Sequence, residues 1–151
     1  MDKQNFSVID LESHKTKDVR DSHINGELTV IWRDWDTHEL ELPKMVYITS
    51  VEPKEKKGPH LHTERNSFFT CIQGEVTFII QDSKKIFHEI TLSETNPQLI
   101  FIPKGIPAAH INAGTVTGKI LALADISWKP DSNEMQNVKF DDYKWEKWYN
   151  S

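Results

Sequence analysis

The chain contains little cysteine and no long apolar run. Only one of its 151 residues is cysteine, so an intrachain disulfide is excluded. That residue, Cys71, lies in the apolar segment 68–72, where we expect a small buried core side chain and not a nucleophile. No apolar stretch approaches the length that a bilayer requires, so we expect no membrane insertion.

The chain also lacks an excess of positive charge. Its 18 basic and 23 acidic residues leave a net charge of -5, which argues against a nucleic-acid partner and favours a small ligand. The first five residues are polar and lack the apolar core of a secretory signal. We therefore expect a cytoplasmic protein.

Short segments rich in β-branched and aromatic residues recur between turn residues, which is typical of an all-β barrel or sandwich. The predicted strands cover residues 28–33, 45–51, 67–72, 75–81, 86–92, 98–102 and 119–125. The two prolines of segment 103–107 exclude a central strand there, because neither can donate to a ladder. We predict one domain over residues 1–151, with a barrel over roughly 28–128 and a short polar and aromatic C-terminal tail over 129–151.

The tail carries Tyr143, Trp145 and Trp148 among polar residues. A segment this aromatic is poorly suited to disorder. We expect it to pack on the barrel or on a partner subunit.

Two histidines stand two residues apart in the run Gly58-Pro59-His60-Leu61-His62. Side chains alternate faces along a strand, so on a strand both imidazoles would point into one cavity and Leu61 to the other side. Neutral imidazole binds metals and exchanges protons near neutral pH. The pair predicts a metal site or an acid/base site, and two solvated histidines on a loop are the alternative.

Basic residues surround this pair. Lys54, Lys56, Lys57 and Arg65 flank it, and Lys104 follows in a later loop. The cluster predicts a positively charged mouth for an anionic substrate, with Lys57 and Arg65 as substrate-binding candidates. For any one of these residues a solvated charged loop is the alternative.

The histidine pair and a later segment together resemble the two motifs of the cupin superfamily. The shared positions, within roughly residues 45–125, are His60, His62, Gly74, Pro103, Gly105, His110 and Asn112. The resemblance implies a double-stranded β-helix, or jelly-roll, barrel. In metal-dependent cupins two histidines, a glutamate and a third histidine bind the ion. His60, His62 and His110 match that set, whereas Ser67 stands at the glutamate position.

Metal-independent cupins that act on nucleotide sugars resemble the chain more. Tyr47 and the segment 57–62 resemble the dTDP-4-keto-6-deoxyhexose 3,4-ketoisomerases, which have arginine where this chain has Lys57. The segment 128–134, ending in glutamate, resembles a Pro-x-x-x-Glu stretch of the dTDP-4-dehydrorhamnose 3,5-epimerases. Both families place a tyrosine pair after an aspartate near the end of the barrel. Here Asp125 is followed by no tyrosine.

The resemblance implies an isomerase or epimerase of a nucleotide-linked 4-keto-6-deoxy sugar in surface polysaccharide or glycan synthesis. Such an enzyme removes a proton beside the ketone and needs no cofactor. The implied roles are a base at His60 or His62, an acid at Tyr47, and substrate contacts at Lys57, Arg65 and His110. The acid can return the proton or hydrogen-bond the oxyanion.

Two other functions remain open. One is a metal-dependent cupin enzyme, such as a dioxygenase or lyase, with His60, His62 and His110 as ligands. The other is a non-catalytic sugar-binding cupin. For any of them the resemblance implies a homodimer, and we expect Trp145 and Trp148 to form part of its contact.

The remaining histidines belong to no motif and have no other candidate site residues grouped with them. We expect His14, His23, His38 and His88 to lie on the surface. Trp32 and Trp35 could provide stacking platforms for a nucleotide base or simply end a strand.

Overall fold

The protein is built almost entirely of antiparallel strands. A computed structural model describes residues 5–33 and 42–148. Its strands, in chain order, are β1 (Ser7–Asp10), β2 (Ser13–Lys17), β3 (Ile24–Thr29), β4 (Met45–Val51), β5 (Lys56–His62), β6 (Ser67–Gln73), β7 (Glu75–Gln81), β8 (Phe87–Ser93), β9 (Gln98–Ile102), β10 (Ala108–Ile111), β11 (Gly118–Ala124) and β12 (Met135–Asn137). A short 3₁₀ helix, Trp145–Trp148, follows them.

Two five-stranded sheets face each other. The first has the order β1-β9-β6-β11-β4 and the second β12-β5-β10-β7-β8, while β2 and β3 form a separate hairpin. Strands that are distant in sequence thus become neighbours in both sheets. This all-β arrangement confirms the predicted double-stranded β-helix, or jelly-roll, barrel.

The main core fills the space between the sheets. Inward-pointing side chains of β6 and β7, among them Phe69, Val76, Phe78 and Ile80, are at most 7% exposed. Their alternation with outward-facing residues follows from the two-residue period of a strand. Cys71 belongs to this cluster, so its predicted role as a core residue is confirmed.

Most predicted strands occur in the structure. The ranges 45–51, 75–81 and 98–102 agree to the residue. The range 67–72 differs by one residue at its end, and the ranges 86–92 and 119–125 are each displaced by one residue. The prediction of a strand over 28–33 is wrong, because β3 ends at Thr29 and pairs only with β2. The sheets also extend past the predicted limits 28–128, since β1 pairs with β9 and β12 with β5.

The C-terminal tail packs on the barrel of its own chain. Phe140, Tyr143, Trp145 and Trp148 cover the outer face of the second sheet, where β7 and β10 present Ile79, Ala109 and Ile111. The rings of Phe140 and Trp145 stack with centroids 6.1 Å apart. A polar tail is thus held by burial of its aromatic side chains. No helix in the described ranges is both long and apolar enough to cross a membrane.

Trp32 packs against the outer face of the first sheet, beside Phe68 and Leu123. It lies away from the inter-sheet space, so the structure gives it a packing role and not that of a stacking platform. Trp35 and His38 lie outside the described residues.

His14 and His23 are exposed, as predicted. His88 differs from the prediction, because it is half-buried. Its Nε2 lies 2.7 Å from a carboxylate oxygen of Asp82 and its ring lies 4.8 Å from that of Phe6.

Candidate active site

A cavity of about 310 Å³ opens between the two sheets. Strands β4, β5, β6, β9 and β10 form its walls, with Trp128 and Met135 also lining it. All six site residues predicted from the sequence line this one cavity: Tyr47, Lys57, His60, His62, Arg65 and His110. The structure therefore brings together side chains from three strands and a loop.

Strand β5 brings the histidine pair and Lys57 to the cavity by different means. His60 and His62 face it because they are two residues apart on a strand. Lys57 joins them through a register shift, since β10 pairs Ala108 with His60 but His110 with Lys57. The extra residue on β5 is a bulge, which re-aims a side chain.

The bulge contains Gly58, whose φ is +85°. A Cβ atom there would lie 2.9 Å from the backbone nitrogen of His60 and 3.0 Å from the carbonyl oxygen of Ala108. Glycine is the residue that adopts this backbone without steric conflict.

A buried carboxylate supports His62. The Nδ1 atom of His62 lies 2.9 Å from both carboxylate oxygens of Glu134, which is only 6% exposed. A hydrogen bond from Nδ1–H to this carboxylate leaves the Nε2 atom as the acceptor of the ring. The carboxylate also stabilises the imidazolium that forms when Nε2 takes up a proton.

Glu134 also forms an ion pair. Its Oε1 lies 3.0 Å from Nη2 of Arg65, and both side chains are buried. Arg65 therefore lies in the cavity wall and not in the solvated turn that the sequence allowed. Segment 128–134 resembles the epimerases in sequence, but the sequence predicted no role for Glu134. The pairing of β12 with β5 is what places Glu134 beside the histidine pair.

The other two histidines stay neutral at physiological pH. Burial lowers the pKa of His60, and electrostatic interactions with His62 and Lys57 lower it further. Burial also lowers the pKa of His110 to about 3, and Lys57, His60 and His62 act in the same direction. His110 lies on β10 and not in a loop mouth, and its ring contacts Phe78 and Phe69 at centroid distances of 4.4 and 5.6 Å.

Tyr47 projects from β4 into the same space. Burial raises the pKa of its phenol, while the hydrogen bond and positive charge of Arg65 oppose that shift. The hydroxyl therefore holds its proton at neutral pH and can donate it. Tyr47 and His62 both contact the Arg65–Glu134 pair, so acid and base candidates share one polar network.

Only part of the predicted basic mouth faces the cavity. Lys57 Nζ lies 2.6 Å from Oγ1 of Thr49 and 3.2 Å from the carbonyl oxygen of Ser50. Lys54 instead donates to the carbonyl oxygen of Ala113, and Lys56 lies over the Trp145 ring. Lys104 is not among the residues that line the cavity.

The histidines do not form a compact metal-ligand set. In the described part of the chain, Asp18, Asp21 and His23 are the one group of three such residues whose ligand atoms lie within 4.8 Å of one another. That group is exposed and lies at the hairpin of β2 and β3, while His60, His62 and His110 are farther apart. With serine at position 67 and Glu134 paired to Arg65, the donor set does not fit a cupin metal.

Comparisons with known proteins agree with this fold. The family FdtA, described as WxcM-like, C-terminal, matches residues 4–145. No curated protein matches the chain by sequence.

Solved structures with similar folds include three that act on nucleotide sugars or on keto sugars. A dTDP sugar isomerase from Desulfovibrio desulfuricans G20 is 15% identical, with a TM-score of 0.74 over 90% of this chain and 85% of that chain. The 3,4-ketoisomerase QdtA of Thermoanaerobacterium thermosaccharolyticum, in complex with TDP, is 16% identical, with a TM-score of 0.70 over 97% and 93%. NovW of Streptomyces spheroides, a 4-keto-6-deoxy sugar epimerase, is 12% identical, with a TM-score of 0.72 over 91% and 71%. At these identities the similarity shows the shared fold.

Proposed function

The chain belongs to the FdtA family of WxcM-like, C-terminal domains, and on that premise we propose that it is an isomerase or epimerase of a nucleotide-linked 4-keto-6-deoxy sugar. The observation that carries the proposal is the pairing of His62 with buried Glu134 inside the inter-sheet cavity. A carboxylate-supported histidine is a suitable base for removing a proton beside a ketone.

In the proposed reaction His62 Nε2 takes the proton from the sugar carbon next to the C4 ketone. The C–H electron pair forms a carbon–carbon double bond, and the ketone π electrons move to oxygen, giving an enediolate or enolate. Reprotonation at a carbon then completes an epimerisation or a shift of the ketone. Glu134 holds the His62 ring in place and stabilises the imidazolium that forms.

Tyr47 is the proposed acid. Its phenol keeps its proton at neutral pH because burial raises its pKa. The tyrosine pair of the two resembled families is absent after Asp125, whose carboxylate instead accepts hydrogen bonds from the backbone and side-chain nitrogens of Asn66 at 2.9 and 2.7 Å. Tyr47 therefore carries the acid role alone.

Lys57 is the proposed contact for the diphosphate. It lies on the exposed side of the cavity, while Arg65 is buried and paired with Glu134. An ammonium group binds phosphate as a point charge, without the bidentate geometry of arginine. The TDP bound to QdtA is the reason for naming a dTDP-linked sugar.

The neutral His60 and His110 complete the lining of the cavity. Their lowered pKa values leave both rings uncharged at neutral pH, so they can hydrogen-bond the sugar hydroxyls without adding charge. The reaction needs no cofactor. We also propose that it serves surface polysaccharide or glycan synthesis in the cytoplasm.

The protein is further proposed to be a homodimer. Strand β4 is an edge of the first sheet, and its outward-facing Val46 and Ile48 are each 59% exposed. An apolar edge strand gains from being covered. Trp145 and Trp148 pack on their own chain, and their contribution to a dimer contact stays a prediction.

Proton NMR in deuterated water tests the function, with dTDP-4-keto-6-deoxyglucose as substrate. We expect the wild type to exchange a sugar proton for deuterium and His62→Asn to lose that exchange. Loss of the C3 signal alone indicates ketoisomerisation or single epimerisation, and loss at C3 and C5 indicates 3,5-epimerisation. His14→Asn is the matched control, because His14 is exposed and far from the cavity lining.

The same experiment separates the competing assignments. Loss of exchange in His60→Asn, with retention in His62→Asn, would move the base to His60. Nucleotide binding by a wild type that exchanges no proton would favour the non-catalytic sugar-binding cupin. A stoichiometric transition metal in the purified protein would favour the metal-dependent enzyme instead.

A further inference from the structure

Two buried polar atoms at the cavity wall have no hydrogen-bond partner. In the described part of the chain, four buried side-chain nitrogen or oxygen atoms are unpartnered: Ser7 Oγ, Trp32 Nε1, Arg65 Nε and Ser67 Oγ. Only the last two belong to residues that line the cavity. A buried donor without an acceptor destabilises the folded state, so two such donors at one wall require an explanation.

The local backbone holds these two residues in fixed positions. Ser67 begins β6, where its backbone pairs with Ile102 on one side and Ala124 on the other. Its side chain shares the inward face with Phe69, which also lines the cavity, because residues two apart point the same way.

Asn66, between the two residues, fixes the turn that precedes β6. It donates to Asp125 through its backbone and side-chain nitrogens, and its Oδ1 accepts a hydrogen bond from the backbone nitrogen of Lys104 at 2.9 Å. Arg65 is held from the other side by the ion pair of its Nη2 with Glu134. Its Nε–H is thus a donor on a guanidinium that cannot move away without breaking that pair.

We propose that Ser67 Oγ–H and Arg65 Nε–H bind the ketone oxygen of the substrate and stabilise the negative charge that it acquires. The inference rests on the proposed function and deepens it. As His62 takes the proton from carbon, the ketone π electrons move to this oxygen, and the two donors receive the charge. In an epimerisation, reprotonation of the same carbon lets the electrons return and the carbonyl re-form, so that neither donor transfers its own proton. In a shift of the ketone, this oxygen becomes a hydroxyl by taking a proton from Tyr47, and the neighbouring hydroxyl loses its proton as the new carbonyl forms.

The position of these donors suits that role. Arg65 also interacts with the Tyr47 phenol and Glu134, and Glu134 contacts His62, so this donor belongs to the network of the proposed acid and base. Ser67 lines the same cavity. Ser67 occupies the site at which metal-dependent cupins carry a metal-binding glutamate. A neutral hydroxyl and a fixed guanidinium there would replace a Lewis acid by hydrogen-bond donors.

Substitution of Ser67 tests the inference, with Ser7→Ala as the matched control. Ser7 Oγ is also buried and unpartnered, but Ser7 does not line the cavity. We expect Ser67→Ala to lower kcat with dTDP-4-keto-6-deoxyglucose by about 100-fold and to leave KM within about twofold. The control should keep the wild-type kcat.

Thermal unfolding provides a second measurement. Loss of a serine with a purely structural role would lower the Tm, whereas loss of an unpartnered hydroxyl would not. Because neither hydroxyl has a partner, both Ala variants should have a Tm at or above that of the wild type. Ser67→Cys, which keeps the side-chain size but is a weaker donor, should also lose activity while folding normally.

Turnover of Ser67→Ala within about twofold of the wild type would overturn the inference while leaving the proposed function intact. A rise in KM with unchanged kcat would also overturn it, because the hydroxyl would then bind substrate and transition state equally. A wild type that exchanges no proton would refute the proposed function, and the inference would fall with it.

Discussion

The half-buried ring of His110, in the cavity wall, predicts a specific loss of stability in acid. Its pKa is lowered to about 3, from 6.5, by burial and by electrostatic interactions with Lys57, His60 and His62. On its other sides the ring contacts Phe69 and Phe78, which offer no counter-charge. Between about pH 6.5 and about pH 3, the unfolded chain therefore binds a proton at this residue, whereas the folded chain does not.

The sign and size of this change in the free energy of unfolding follow from proton linkage. Stability contributed by a histidine that stays neutral when folded is complete above pH 6.5 and declines as the pH falls toward 3. Between about pH 7.5 and about pH 4.5 this one residue should reduce the free energy of unfolding by about 3 kcal/mol. Carboxylates and the other histidines contribute to the wild-type profile as well, so the measured quantity is the difference from a variant.

Urea unfolding of the wild type and of His110→Gln at several pH values provides the assay. Glutamine removes the titration and keeps a polar side chain of similar length. We expect the stability difference between the two proteins to shift by about 3 kcal/mol in favour of the variant as the pH falls to about 4.5. Parallel stability profiles would refute the burial of a neutral ring at this position.

Two further predictions concern the ion pair and the assembly. Glu134→Gln leaves the Arg65 guanidinium buried without an opposite charge, which should cost about 3–5 kcal/mol and lower Tm on the order of 10 °C by circular dichroism. A Tm equal to that of the wild type would contradict the buried pair. Sedimentation equilibrium should give twice the 17.6 kDa chain mass for the wild type and a single chain for Ile48→Lys, whereas a monomeric wild type would contradict the homodimer.

Much of the fold could be predicted from local pattern. Runs of β-branched and aromatic residues mark strands such as β4, β7 and β9. Exposed and half-buried residues alternate along β4, whereas β7 and β9 are apolar runs buried on both faces. Strands β1, β2, β5, β10 and β12 lie outside the predicted ranges. All but β5 are three to five residues long, and so short a segment shows too little alternation to be distinguished from a loop. The seven-residue β5 contains Gly58 and Pro59, and only the spacing of its two histidines indicated a strand.

The residues of the candidate site could likewise be predicted only in part from the sequence. The spacing of His60 and His62 determined that both rings share a cavity, since the two-residue period of a strand is a property of the backbone. The cluster of basic residues marked Lys57 and Arg65. The resemblance of the motifs marked Tyr47 and His110 and indicated the family that the comparisons then showed.

Only the tertiary structure decided what these residues contact. The support of His62 by Glu134 depends on the pairing of β12 with β5, which joins segments more than seventy residues apart. The burial of Arg65 and the unpartnered hydroxyl of Ser67 depend on the same long-range packing. Periodicity reports which face a side chain occupies, whereas its partners, its burial and hence its pKa are set by chain segments that local sequence does not specify.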